Sequence, residues 1–263
     1  MERLLLLRLR SAGCAAEARI NDIPVARTPP GGGALSVPVH EVLLEGENQL
    51  SLVVDAPAPG TSAAPRLTAA PLAASLRLLL PRVGQLGSEA TARTLAELDW
   101  ALPEGEVLQP PLVVSRSASL PIHFPRWRWL DLPLIADTPA VQFTVASFVQ
   151  NLAISLARGD ADTFVQSARL RFEELALAYQ QKPADLVARW RSRIQLLHAT
   201  KALQIELPAL ADVRLLPCAG GRLVECVTAN GEPVLRTAAT ADGTRQAWPI
   251  RVAVIDGHCH VVR

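Results

Sequence analysis

Aromatic side chains are scarce in this chain: five Trp, five Phe and one Tyr make up 4% of its 263 residues. A surface that stacks on bases needs several ring faces along one groove, so a general nucleic-acid platform is excluded. Charge of one sign is missing too. The formal net charge is +1, and no run of like charge occurs in either half, which removes the basic stripe that nucleic-acid binding requires. Only two of the 26 basic residues are lysines, Lys182 and Lys201. With abundant Ala and Leu and 21 prolines, that bias reads as coding from a GC-rich, bacterial genome. The four cysteines, Cys14, Cys218, Cys226 and Cys259, form no C-x-x-C pair, so neither a disulfide framework nor a zinc ribbon is expected. Long apolar runs are also lacking. Leu4 to Leu7 are continuous before Arg8 and Arg10 intervene, short of the ~7–15 residues of an export signal. No apolar stretch is expected to approach the ~20 residues of a membrane span. The expectation is a cytoplasmic protein with no nucleic acid, no membrane and no cofactor.

What is present divides into two patterns. Over residues 1–130, short apolar runs alternate with turn chemistry. Strands are expected at Glu2–Arg10, Cys14–Ile20, Ile23–Arg27, Ala34–Val39, Gln49–Asp55, Ala74–Leu80 and Leu112–Phe124. Asn21-Asp22 suits a tight hairpin, and Pro29–Gly33 and Ala56–Pro65 read as loops. Strands at this spacing predict an all-β sandwich. Residues 131–137 read as a linker, and 138–263 as an α+β domain.

In that second region Thr138-Pro139 supplies an N-cap and first-turn proline. Val141, Val145, Phe148, Val149, Leu152 and Leu156 follow at helical spacing, and Gly159 ends the helix. Asp160 is placed to cap a second helix bearing Phe164, Ala168, Phe172, Leu175 and Tyr179, and Pro183 opens a third bearing Leu186, Trp190, Ile194 and Leu197. Then Gly220-Gly221, Asn230-Gly231, Asp242-Gly243 and Asp256-Gly257 mark four hairpins. They delimit strands near Ala211–Ala219, Arg222–Ala229, Glu232–Ala241, Thr244–Ile255 and His258–Arg263. Three helices followed by an antiparallel meander is the expected architecture.

Two resemblances accompany this reading. Val42-Leu-Leu-Glu-Gly-Glu-Asn-Gln-Leu-Ser-Leu-Val-Val54, with the upstream Ile20–Val25 hairpin, resembles a segment of galactose-binding-like jelly-roll domains. There the Gly and Asn make a bend and the alternating Leu enter the core, which implies a jelly-roll sandwich and sugar binding in some members. Leu156–Asp162 and the closing Trp248–Val262 are similar to segments of the nuclear transport factor two, ketosteroid isomerase and snoaL-like cone domains. That implies a cone pocket for a small apolar ligand or acid–base chemistry, with Tyr179, Arg251, His258 and His260 as its candidate residues. The sequence departs from that family: the strand pair between the second and third helices is not apparent, nor is an Asp/Tyr or His/Asp set.

Two further motifs call for assignment. Trp127 and Trp129 lie on one side of an extended Pro125–Leu130, as a stacking platform or, the favoured reading, as plugs in a domain seam. His258-Cys259-His260 has the spacing of a metal-binding H-x-H pair, but no second His cluster exists. Pairing across Asp256-Gly257 places His260 opposite Ala253, with Arg251 as a cation on that side to oppose a metal. Cys259 points to the other face. No hydrolase, Walker or dinucleotide motif occurs. These observations lead to a non-catalytic interaction protein with a protein partner or a homo-oligomeric state. The alternatives are an apolar-ligand cone and a sugar-binding sandwich.

Overall fold

A computed structural model of the chain describes residues 4–81, 91–240 and 243–263. The first residues of the expected strand Glu2–Arg10, and Ala241 and Asp242 at the third hairpin of the second region, lie outside the described residues. The chain divides into two compact units, Met1–Arg126 and Trp127–Arg263. The segment 131–137, expected to be a linker, therefore falls within the second.

The first unit is built from strands β1 (Leu6–Ala12), β2 (Ala16–Ile20), β3 (Ile23–Thr28), β4 (Gly32–Pro38), β5 (Gly46–Val54), β6 (Arg66–Leu67), β7 (Leu72–Leu80), β8 (Arg93–Leu102), β9 (Val107–Leu108) and β10 (Leu112–Leu120). They form two four-stranded antiparallel sheets, ordered β4-β1-β7-β8 and β10-β5-β2-β3, with β6 and β9 as a small ribbon. Alternation explains the packing. In β1, Leu7 and Leu9 are buried while Arg10 is exposed, because successive side chains point to opposite faces. Leu76 and Leu78 of the same sheet and Ile20, Ile23, Leu50 and Leu52 of the other are all fully buried. Strands of one sheet touch strands of the other, β1 against β2 and β3 and β5 against β7 and β8.

Asn21 and Asp22 both have positive φ, 51° and 64°, the geometry a two-residue hairpin demands. The Gly-x-Asn segment has a structural role. Buried Asn48 accepts from the Leu44 amide at 2.7 Å and donates to the Leu44 and Gly46 carbonyls at 2.8 and 3.1 Å. Asn21 donates to the Asn48 side-chain oxygen at 2.9 Å, joining the hairpin to this bend. β8 is the long strand that sequence patterning missed, beside the two-residue β6 and β9. Its run Arg-Thr-Leu-Ala-Glu-Leu-Asp-Trp-Ala-Leu is rich in good helix formers, and its extended form is imposed by nine paired positions along β7. The expected last strand stops at Leu120, ahead of Pro121 and Pro125, residues that cannot donate to a ladder.

The second unit opens with α1 (Pro139–Ala157), α2 (Asp162–Ser167), α3 (Arg169–Ala178) and α4 (Pro183–Ala199). Thr138 caps α1, accepting from Val141 N at 3.3 Å. Gly159 follows its end with φ +79°, and a Cβ there would lie 2.7 Å from the His198 ring of α4. The expected second helix is two, α2 and α3. The break is one residue deep, since Ala168 N still reaches Phe164 O at 2.8 Å and Phe172 N reaches Ala168 O at 3.0 Å. α1 is long and apolar enough to cross a membrane. Patterning missed this because uncharged Gln142, Thr144, Ser147, Gln150 and Asn151 interrupt the apolar run. Val145, Val149, Leu152 and Leu156 of α1 are core residues here.

Strands β11 (Arg214–Cys218), β12 (Leu223–Val227), β13 (Arg251–Ile255) and β14 (His258–Val261) form one antiparallel sheet in chain order. Among the described residues the meander thus has four strands where five were expected. Residues of the expected strand Glu232–Ala241 bond singly to several partners: Val234 N to Cys226 O, Thr237 N to Gln246 O, and Ala238 N to Gln204 O. Pro233 has no N–H to offer a ladder. Across Asp256-Gly257 the register places His260 opposite Ala253 and His258 opposite Ile255, as expected. The helices cover the sheet face bearing Val224, Cys226, Val252 and Val261. Trp190 joins that core, stacked on Phe164 with ring centres 4.6 Å apart and edge-on to Trp248 at 6.2 Å.

Candidate functional site

The outer face of the sheet β4-β1-β7-β8 is best read in rows, because paired residues on four strands share one line across it. The first row is Ser36, Arg8, Arg77 and Glu97; the second is Ala34, Arg10, Ser75 and Asp99; the third is Gly32, Ala12, Ala73 and Ala101. From the first row to the third, side chains end smaller on every strand: Arg8, Arg10, Ala12; Arg77, Ser75, Ala73; Glu97, Asp99, Ala101. The surface therefore slopes down to bare backbone. At the low end lies a hollow of about 880 Å³, lined along these rows and by Ser11, Gly33, Ala74 and Trp100. We call it the trough. It is largely apolar, with Arg10, Ser11, Ser75 and Asp99 among its polar residues.

The first row closes on itself. Arg77 pairs with Glu97 at 3.4 Å, and Arg8 donates to the Ser36 hydroxyl at 3.0 Å. In the second row the position of Arg77 is taken by Ser75, which carries no charge to pair with Asp99. Asp99 is exposed and has no hydrogen-bond or ion-pair partner among the described residues.

The residues singled out by sequence lie elsewhere. Trp127 and Trp129 are 1% and 3% exposed, so neither ring offers a face for a base or sugar. Their segment is tied into its own unit. Arg263 lies 6.0 Å from the centre of the Trp127 ring, the Arg128 amide donates to Glu174 Oε1 at 2.5 Å, and Arg263 donates to Glu174 Oε2. Arg222 donates to the Leu132 carbonyl, and Ile135 N to Gly221 O at 2.9 Å.

Tyr179, Arg251, His258 and His260 do not gather round one pocket. Arg251 is on the sheet face opposite the helices, where it donates to buried Glu225 at 3.0 Å. His258 and His260 share that face. Burial, then His258 and Arg169, hold the His260 imidazole below its ordinary value. The cation acting on His260 is Arg169 at the start of α3, while Arg251, expected as the cation that would oppose a metal here, is engaged by Glu225. Tyr179 is at the far end of α3, about 15 Å along the helix from Arg169. Between helices and sheet the interior is occupied by the aliphatic and Trp–Phe core.

Reactive groups are subdued. Burial pushes the Cys14, Cys226 and Cys259 thiols up, which disfavours the thiolate. Among the described residues no three His, Cys, Asp or Glu side chains come together to hold a metal. A second hollow in the second unit, about 250 Å³, is lined by Glu206, Asp212, Thr228, Asn230 and Arg236. There Glu206, against the upward push of burial, is held below the usual range by Arg236 at 2.7 Å and Arg245 at 2.6 Å. That carboxylate is fully engaged. Comparison with known proteins finds no matching family model, no matching curated protein and no matching solved structure.

Proposed function

We propose that the chain is a non-catalytic binding protein whose ligand sits in the trough of the first unit. The observation that carries this reading is the taper to an alanine and glycine floor. Its volume of about 880 Å³ lies within the ~300–1,000 Å³ of small-molecule sites. Solvent-facing sheet positions ordinarily carry polar or β-branched side chains. Here Ala12, Ala34, Ala73 and Ala101 instead expose a flat bed. The resemblance of Val42–Val54 to galactose-binding-like domains supports a binding role for this unit, and the subdued thiols support a role without chemistry. A small apolar ligand in the second unit has less in its favour, because the interior there is filled by side chains.

The test is retention of compounds from a fractionated extract of metabolites, oligosaccharides and peptides, read by mass spectrometry. The native chain is compared with Ala73→Leu, which fills the floor from an exposed position. A compound held by the native chain and released by the variant at equal stability is the expected result, and ligand linkage predicts a matching rise in its Tm. Retention indifferent to Ala73→Leu places the site elsewhere. No retention at all ends the reading.

A further inference from the structure

We infer that His258 and His260 on β14 form a two-imidazole site for a divalent transition-metal ion of the late first row: copper, nickel or zinc. The site lies in the second unit and does not depend on the trough. The Asp256-Gly257 turn and four paired positions fix both residues on one strand, His258 opposite Ile255 and His260 opposite Ala253. Two positions apart on a strand, their side chains leave the same face from Cα atoms about 6.7 Å apart. Imidazoles so placed can each turn one nitrogen toward a shared ion at about 2.0–2.1 Å. A strand held in hairpin register presents them more rigidly than a loop would.

Three observations favour a metal ion here. First, both rings are uncommitted. His40 accepts from the Leu5 amide at 2.7 Å, and His123 lies 2.9 Å from Glu45. His258 and His260 have no hydrogen-bond or ion-pair partner among the described residues. Second, the charge that the sequence set against a metal is answered. Arg251 is on the same face, but Glu225 holds its guanidinium at 3.0 Å. Arg169, which acts on His260, pairs with Glu173 at 3.1 Å. Third, the hairpin partners Ala253 and Ile255 offer only hydrocarbon, and Cys259 is on the other face.

The donors define the class of ion. Imidazole nitrogen suits Cu²⁺, Ni²⁺ and Zn²⁺, with Cu²⁺ bound most tightly. It offers nothing to Mg²⁺ or Ca²⁺, which take oxygen ligands. A closed structural site has four protein ligands. With two, the remaining positions go to water or to a donor from outside the chain, so the ion is held openly and exchanges.

The experiment is isothermal titration of the full chain at pH 7.5, where an ordinary imidazole is neutral, with Cu²⁺, Ni²⁺, Zn²⁺ and Mg²⁺. Electron paramagnetic resonance of the Cu²⁺ complex counts the ring nitrogens bound. The expected result is one Cu²⁺ per chain on two ring nitrogens, weaker Ni²⁺ and Zn²⁺, and no Mg²⁺. His258→Asn and His260→Asn each weaken Cu²⁺ about tenfold or more, because the second contact of a chelate is intramolecular. His123→Asn leaves binding unchanged. Arg169→Gln removes a neighbouring cation and tightens binding a few-fold, a response that a purely structural arginine would not give. His258 is exposed and His260 half-buried, and circular dichroism checks that each variant is folded.

The inference is overturned if Cu²⁺ does not bind at one per chain, if its spectrum shows a single ring nitrogen, or if either histidine is replaced without loss. Binding lost in His123→Asn but kept in the other two variants assigns the ion to the His123–Glu45 pair and overturns it as well. None of these results bears on retention of compounds in the trough, so the two readings fail separately.

Discussion

Asp99 in the first unit and Glu174 in the second are two carboxylates in opposite circumstances. Glu174 is 4% exposed, with one oxygen on the Arg128 amide and the other on Arg263, itself 4% exposed. Asp99 stands in the open with no partner among the described residues. A buried acid must be satisfied inside the protein, so Glu174 is committed to holding the Trp127–Leu132 segment against α3 and the end of the sheet. An exposed acid is hydrated by water and contributes little to folding. The same chemical group is structural in one place and available in the other, and burial makes the difference.

Substitutions can break this contrast or make it sharper. Glu174→Ala should cost the most, about 3–5 kcal/mol, because it strands a buried arginine; urea denaturation measures it. Glu174→Leu combined with Arg263→Leu should recover most of that loss, and a double variant as unstable as the single would show that the pair does more than satisfy itself. Asn48→Leu, which leaves the Leu44 amide and the Leu44 and Gly46 carbonyls without their partner, should cost about 2–3 kcal/mol in the same assay.

Asp160→Ala should cost about 1 kcal/mol as a lost helix cap. The Thr163 hydroxyl, with the Asp162 amide, holds the Asp160 carboxyl below its ordinary value. A group with a lowered folded pKa contributes stability that is present above the unfolded value and disappears as pH falls through the folded one. The variant should therefore match the native chain at low pH and fall behind it above about pH 4. A constant gap across that range would remove the carboxylate from the account. Smallest of all, Asp99→Asn should change stability by less than about 0.5 kcal/mol. A loss above 1 kcal/mol would make Asp99 structural and erase its contrast with Glu174.

Much of the fold was readable from local chemistry. Asn21-Asp22, Gly220-Gly221 and Asp256-Gly257 all sit in turns with positive φ, and the Asp256-Gly257 turn alone set the His260–Ala253 pairing. Helix starts were readable in the same way: Thr138 caps α1, the Asp160 carboxylate accepts from the Asp162 and Thr163 amides at the start of α2, and Pro183 is the first residue of α4. What escaped was set by contacts distant in sequence. β8 is composed of residues that favour helices, and only its partner β7 makes it a strand. The trough depends on that missing strand. Arg10, Ser75 and Asp99 come from three segments whose alignment is a matter of register, and nothing within any one segment marks it. The arginines of β1 were visible as the outer half of an alternating pattern. The drop from Arg10 to Ala12 becomes meaningful only beside the shortening on β7 and β8. Conversely the shared face of His258 and His260 followed from the turn alone, and only the cation beside it, Arg169, had to come from the structure.

The alanine floor has a consequence for how this protein can change. Ala12, Ala73 and Ala101 point away from the leucines that hold the two sheets together. A methylene added at any of them subtracts volume from the trough without touching the packed interior. Shape at the surface and robustness of the scaffold thus vary along separate axes. A library randomised at those three codons should yield mostly folded proteins with different appetites, and relatives diverging in what they hold should differ there first.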